Sequence, residues 1–225
     1  MPLTVKICGL STLATVDAAL DAGADMIGFV FHPRSPRFIQ PAEAAVLSVR
    51  AEGRAQTVAL FADADDAAID AVLAAFRPDW LQLHGSEPPE RCRALGARSG
   101  WRILKAVGVA APGDLAALAP YRAVADRVLI DARAPKDAAY PGGHGRPFDW
   151  SILTALDPDL AFMLSGGLTP ETVGDAVTTL RSFGVALSGL DVSSGVERAP
   201  GVKDETKIRD FVAAVRRAEM DHERA

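Results

Sequence analysis

The chain has 225 residues, 49% of them hydrophobic, with 24 Lys and Arg against 29 Asp and Glu and a net charge of −5. That length suits one α/β domain with a large core, and the acidic balance argues against nucleic acid or an anionic membrane as the main partner. No apolar run approaches the ~18 residues a membrane helix needs, no basic-then-apolar leader opens the chain, and Cys8 and Cys92 form neither a disulfide framework nor a metal spacing; a soluble, reduced, cytoplasmic protein is expected.

The first predicted strand, at 3–7, leads through Val5-Lys6-Ile7-Cys8-Gly9. Alternation puts Lys6 and Cys8 on one face and Val5 and Ile7 on the other. Further strands are predicted at 26–31, 57–61, 80–83, 103–107, 127–130, 161–164 and 185–187, the last extending toward 190. Helical patterns fall between them at 13–22, 42–51, 66–76, 89–98, 113–121, 150–156, 170–180 and 204–218. Leu13, Val16 and Leu20 recur at helical spacing and Gly23 stops the first helix. Pro41 opens the second. Thr169 can cap the seventh, which Pro170 starts and whose positive end Glu171 complements.

Eight strand–helix pairs predict a single (β/α)₈ barrel over residues 1–225 with no interdomain linker. A doubly wound open sheet would show fewer strands and a phosphate loop after the first, and Cys8-Gly9-Leu10-Ser11 is no nucleotide fingerprint. In such a barrel the chemistry sits where the strands end. The residues found there are unusual: His32-Pro33-Arg34-Ser35-Pro36-Arg37 after the second strand, His84-Gly85 after the fourth, Asp131 after the sixth, Ser165-Gly166-Gly167-Leu168 after the seventh. After the eighth stands Asp191-Val192-Ser193-Ser194-Gly195-Val196-Glu197. The segment Pro141-Gly142-Gly143-His144-Gly145 suits a mobile cover.

The last two strand-end loops, with Gly166, Gly167, Ser193, Ser194 and Gly195, offer unpaired backbone N–H groups at helical turns, a recurrent phosphate site in barrels. Gly166-Gly167 alone also fits a tight turn. Arg37, in a proline-stiffened loop, is a solvated surface cation or a two-pronged anchor for a carboxylate. Asp131 is a turn-forming cap or an acid at the barrel mouth able to donate a proton. Cys8 is a small core hydrophobe or a thiol standing at that mouth, where helix N-termini can lower its pKa. Lys6 either favours its thiolate or pairs with a carboxylate inside the barrel. His84 and His144 are further proton-transfer candidates, and Cys92, in a helix pattern, reads as structural. No metal cluster and no nucleophile elbow is visible.

These motifs stand together in an order that resembles the phosphoribosylanthranilate isomerase family. They are Val5-Lys6-Ile7-Cys8-Gly9, Gly28-Phe29-Val30-Phe31, Ser35-Pro36-Arg37, Leu81-Gln82-Leu83-His84-Gly85, Lys105-Ala106-Val107, Gly142-Gly143 with Phe148-Asp149-Trp150, Leu164 to Leu168, and Asp191 to Glu197. The resemblance spans nearly the whole chain, and its opening and closing motifs are specific. It implies a cofactor-independent Amadori rearrangement of N-(5′-phosphoribosyl)anthranilate in tryptophan biosynthesis, with a phosphosugar substrate and a monomer or homodimer as the assembly. By that resemblance Cys8 is the general base and Asp131 the general acid, Arg37 meets the anthranilate carboxylate, and His84, Gly166, Gly167, Asp191, Ser193, Ser194 and Gly195 bind substrate. The stretch 183–190 looks longer than usual for the family, which bears on the boundary of the eighth strand. A related ribonucleotide isomerase resembles an aspartate pair at the two proton-transfer positions, where this chain has Cys8 at the first; an idle phosphate-binding barrel is the non-enzymatic alternative.

Overall fold

A computed structural model describes every residue except Met1, Lys136, Ala139, Pro141, His144, Arg146 and Ala225, and leaves out the side chains of Ser99, His222, Glu223 and Arg224. His144, named above as a proton-transfer candidate, therefore lies outside the described residues. Eight parallel strands close into a barrel in sequence order. They are β1 (Thr4–Cys8), β2 (Met26–Val30), β3 (Gln56–Phe61), β4 (Trp80–Leu83), β5 (Arg102–Val109), β6 (Arg127–Ala132), β7 (Phe162–Leu164) and β8 (Leu187–Val192). The α-helices are α1 (Leu13–Asp21), α2 (Pro41–Ser48), α3 (Asp66–Ala75), α4 (Pro89–Ser99), α5 (Val173–Ser182) and α6 (Glu205–Arg224). A short hairpin of β9 (Glu197–Ala199) and β10 (Val202–Lys203) follows β8.

The period-two pattern of each strand divides the core. One parity, with Val5, Ile7, Ile27, Phe29 and Phe61, faces the helices. The other fills the barrel with Met26, Val58, Trp80, Leu104, Leu129 and Met163. The Trp80 ring carries the guanidinium of Arg102 at 4.3 Å and that of Arg127 at 5.2 Å, a favourable cation–π arrangement.

A device recurs on the face opposite the strand ends. The residue immediately before β2, β4 and β6 is Asp25, Asp79 and Asp126, and each carboxylate accepts a backbone N–H of the preceding strand: Val5, Thr57 and Ile103, all at 2.7 Å. Each of these N–H groups belongs to the second residue of its strand. The aspartate satisfies it and fixes the turn into the next strand.

Three expectations change. The fifth and sixth helical segments are 3₁₀ turns, Pro112–Tyr121 and Trp150–Ala155. Pro120 interrupts the first, and the second has only 6 residues, so neither sustains an α-helical ladder. The last α-helix before β8 opens at Val173 rather than at Pro170, although the Thr169 carbonyl still accepts the N–H groups of Thr172 and Val173. β8 lies later than predicted, pairing Thr4 with Gly189, Val5 with Leu190, Lys6 with Asp191 and Ile7 with Val192. Against β7 the register shifts, Phe162 pairing with Leu187 and Met163 with Gly189, so the strand passes Ser188 and runs on to Val192. Asp191 consequently belongs to the strand itself, as does Asp131 in β6.

Phe76, just past α3, packs edge-on against Phe29 at 5.5 Å and at a tilt against Phe31 at 5.9 Å, and Phe31 stacks on Phe61. Phe76 is 1% exposed. Phe76→Ala is expected to lower unfolding free energy by about 3–5 kcal/mol, measured as a reduced urea midpoint with the native circular dichroism retained.

Candidate active site

The ten residues given catalytic or substrate-binding roles by the resemblance come together in one cavity at the C-terminal ends of the strands. Cys8, Arg37, His84, Asp131, Gly166, Gly167, Asp191, Ser193, Ser194 and Gly195 line it, in an empty space of about 760 Å³ that includes its open mouth. His32, Gln82, Arg133, Tyr140 and Ser165 line it as well.

Cys8 is the last residue of β1 and is 4% exposed. Its neighbour in register on β2 is Gly28. A β-carbon at Gly28 would lie 3.1 Å from Cys8 Sγ and 3.3 Å from Lys6 Nζ, so the missing side chain is what lets thiol and ammonium share the space. Lys6 is fully buried and donates to Asp191 Oδ1 at 2.7 Å; Ser165 Oγ donates to the other oxygen of Asp191 at 3.1 Å. Of the two roles open to Lys6 in sequence, pairing with a carboxylate is thus realised. Burial opposes the charge on Lys6, but Asp191 and then Cys8 outweigh it, leaving its pKa above the ordinary value.

The expectation of a depressed Cys8 pKa is overturned. Burial pushes the thiol up, and Lys6 and Lys203 do not cancel that penalty, to which Asp191 adds. Proximity to helix ends is legible in a sequence; the depth of desolvation is not.

Arg37 reaches the mouth because its loop doubles back. The Ser35 N–H donates to His32 O, the Phe38 N–H to Ser35 O and the Ile39 N–H to Val30 O, which returns the chain along the end of β2. Arg37 is 5% exposed and forms a two-pronged pair with Glu197, Nε to Oε1 at 2.7 Å and Nη2 to Oε2 at 2.9 Å. Burial works against that charge and the hydrogen bonds and field of Glu197 prevail, raising the arginine pKa. Nη2 also donates to Gly143 O at 3.1 Å.

Lys203 ties this pair to the loop after β8. Its Nζ donates to Glu197 Oε1 at 2.8 Å, Ser193 O at 2.8 Å and Ser193 Oγ at 3.1 Å, and Ser193 Oγ donates to Cys8 O at 3.2 Å. Burial brings the Lys203 pKa down to about 8 against the pull of Glu197. Glu197 itself is held low: burial raises it, but Arg37 and Lys203 win.

On the far side, Asp131 is 3% exposed. Its Oδ1 accepts the Ala132 N–H at 2.8 Å and its Oδ2 lies 3.1 Å from His84 Nε2. His84 Nδ1 in turn lies 3.1 Å from Gln82 Nε2. Gly142, at φ 75°, packs on this pair so closely that a β-carbon would stand 2.6 Å from Asp131 Oδ2 and 2.7 Å from His84 Nε2; only glycine fits that backbone there. The loops bearing Gly166-Gly167 and Ser193 to Gly195 face the same cavity, the second entering a 3₁₀ turn at Ser194–Val196, whose first N–H groups have no partner within the turn.

Sequence reasoning passed over Gln82, Ser165 and Lys203 and gave Glu197 no role. Gln82 and Lys203 do carry a signal, polar residues at buried strand or hairpin positions, and Glu197 stands in the closing motif. Among the described residues, no three His, Cys, Asp or Glu side chains gather as a metal ion would require. Nor is any helix among them long and apolar enough to cross a membrane.

With the geometry in place, comparison with known proteins is direct. Residues 5–214 match the family model for N-(5′-phosphoribosyl)anthranilate (PRA) isomerase. The N-(5′-phosphoribosyl)anthranilate isomerase of Afipia carboxidovorans is 56% identical over 218 residues, which cover 97% of this chain and 91% of that protein. The crystal structure of phosphoribosyl anthranilate isomerase from Thermotoga maritima superposes with a TM-score of 0.83 at 36% identity, covering 95% of this chain and 98% of that one. A phosphoribosyl anthranilate isomerase in complex with reduced 1-(o-carboxyphenylamino)-1-deoxyribulose 5-phosphate superposes at 0.80 with 35% identity, again over 95% and 98%.

With its pKa raised, Cys8 is expected to react slowly with iodoacetamide at pH 7. The rate should climb only as pH passes above the ordinary thiol range, near 8.5. Peptide mass spectrometry across pH checks this; fast labelling at pH 7 contradicts it.

Proposed function

The chain belongs to the N-(5′-phosphoribosyl)anthranilate isomerase family and is an isomerase of tryptophan biosynthesis, and we propose that Cys8 and Asp131 divide the proton transfers of its Amadori rearrangement. The observation that carries this reading is the convergence of one buried thiol and one buried carboxyl, from β1 and β6, on a cavity lined also by Arg37 and the glycine-rich loops after β7 and β8.

In this reading the loops Ser165 to Gly167 and Ser193 to Gly195 receive the phosphate through backbone N–H groups, and Arg37 receives the carboxylate of the anthranilate ring. The ligand in the related complex carries both groups. Arg37 keeps Nε and Nη2 on Glu197, which aims the planar fork, and Nη1 is the nitrogen left to meet a second carboxylate. Holding the substrate at both anionic ends fixes the sugar between thiol and carboxyl, an orientation effect worth as much as the proton transfers.

Asp131 gives its proton to the furanose ring oxygen, the C1–O bond breaks, and an iminium forms between C1 and the anthranilate nitrogen. The iminium acidifies the C2 hydrogen. Cys8 as thiolate takes that proton, and the electron pair of the C–H bond becomes the C1–C2 double bond of an enolamine. Asp131 takes up the C2 hydroxyl proton as the ketone forms and Cys8 returns its proton to C1, so the ketose has the substrate's protons and both residues regain their starting states. Burial makes the thiolate scarce in the free protein; the positive iminium and the adjacent Lys6 favour it at the moment it is needed.

Cys8→Ala and Asp131→Asn are each expected to reduce kcat by about 10²–10⁴ while leaving the thermal melt near that of the parent. Near-normal turnover by either, measured with the fluorescent anthranilate substrate, overturns its assignment. Arg37→Ala is expected to act mainly through KM, and an unchanged KM counts against the carboxylate-anchor role.

A further inference from the structure

The geometry points to Gln82 as a positioning residue whose amide orientation sets whether Asp131 stands as an acid or as a carboxylate. This rests on the reading of Asp131 as the proton donor and adds to it the group that loads the donor.

Gln82 lies on β4, fully buried, on the same face as Trp80 and His84. Its Nε2 is 3.1 Å from His84 Nδ1, and His84 Nε2 is 3.1 Å from Asp131 Oδ2. Its Oε1 is buried with no hydrogen-bond partner among the described residues. An amide NH₂ only donates, so in this orientation His84 Nδ1 must be the lone-pair nitrogen. The proton of the neutral ring is then on Nε2, donated to Asp131, which accepts it as a carboxylate. The pair holds one proton in all.

An acid at Asp131 requires two. Its O–H then donates to His84 Nε2, the ring proton moves to Nδ1, and the Gln82 NH₂ would face an N–H. A half turn of the amide replaces NH₂ by Oε1 at nearly the same place and restores the hydrogen bond. The unpartnered end is what permits this: no second group holds the amide one way, so His84 alone decides its orientation and the amide in turn selects the ring tautomer. The acid-loaded state therefore has Oε1 toward His84. Catalysis breaks the Asp131 O–H bond, passes that proton to the ring oxygen of the sugar, and regains one from the C2 hydroxyl as the ketone forms; no electron transfer is involved.

Other charges face this array. Cys8 from β1, Asp191 from β8, Arg37 and His32 from the loop after β2, and Arg133 and Tyr140 beyond β6 line the same cavity. The Glu87–Lys105 pair, at 2.7 Å, sits behind Gly85. The hydrogen bond of the Gln82 amide runs to His84, so a change confined to that amide acts first on the His84–Asp131 pair.

Two substitutions at one position test the idea. Gln82→Leu removes the acceptor for Nδ1–H; kcat should fall about tenfold with KM within about twofold, and the alkaline limb of the kcat–pH profile should move about one unit lower. Gln82→Glu offers only an acceptor, and that limb should move about one unit higher. A packing role would move both in the same direction or neither, and either of those results overturns the inference. Nitrogen-15 NMR of His84 in the unaltered protein gives a second readout: Nδ1 protonated below the alkaline limb and Nε2 alone above it is expected, and Nε2 alone throughout refutes the switch. Full turnover by Asp131→Asn would defeat the underlying reading instead; an inactive Asp131→Asn beside parent-like Gln82 variants would defeat this inference only.

Discussion

Two opposite charges buried side by side govern the mouth of this barrel. Lys6 on β1 and Asp191 on β8 are paired residues of the ladder that closes the cylinder, and their side chains meet at 2.7 Å with almost no solvent access. Removing one partner of such a pair strands the other charge, typically at about 3–5 kcal/mol. The pair therefore fixes the register of first strand against last. It also places a positive charge beside the thiol two residues further along β1 and a carboxylate beside Ser165 in the loop after β7. Barrel closure and site electrostatics are one interaction.

A second buried set stands above it, with Glu197 shared between Arg37 and Lys203. Lys203 also holds both oxygens of Ser193. The loop proposed for phosphate and the arginine proposed for carboxylate are thus anchored to one carboxylate, so the spacing between the two substrate ends is built into a rigid hydrogen-bonded unit. The ammonium groups are spent on internal anions. In the proposed reading, phosphate recognition is left to backbone N–H groups, which keep their direction and do not titrate in the physiological range.

Periodicity made the barrel legible, because eight alternations of short β-branched runs with amphipathic segments leave few other packings. The miscalled elements failed for local reasons. β8 passes Ser188 with a shift of register against β7, and Pro120 interrupts a 3₁₀ turn where an α-helix was expected. The cavity residues were legible because each sits at a strand end beside a loop too polar or too glycine-rich for a core. Partnerships were not: that Asp191 is taken by Lys6, Arg37 by Glu197 and Ser193 by Lys203 depends on contacts more than a hundred residues apart in two of the three cases. The Cys8 pKa failed for a related reason, since desolvation is a property of the finished packing.

The acid and base proposed here share one cavity, where each can quench the other. Here each is served by its own neighbours: Lys6, Asp191 and Lys203 act on Cys8, whereas Gln82, His84 and the Ala132 N–H surround Asp131. At an effective dielectric near 20 a unit charge at 4 Å contributes about 4 kcal/mol, and doubling the distance halves it. A group touching its own partners is therefore tuned mainly by them, and a charge across the cavity perturbs it less. Burial holds the thiol pKa up, while the carboxyl proposed as the acid is in hydrogen-bond contact with His84 and, through it, with the Gln82 amide. In the proposed mechanism the substrate is what joins the two circuits: the iminium created on the Asp131 side is the positive charge that makes a thiolate affordable on the Cys8 side. The order of events then follows from the electrostatics, with ring opening first and carbon deprotonation second.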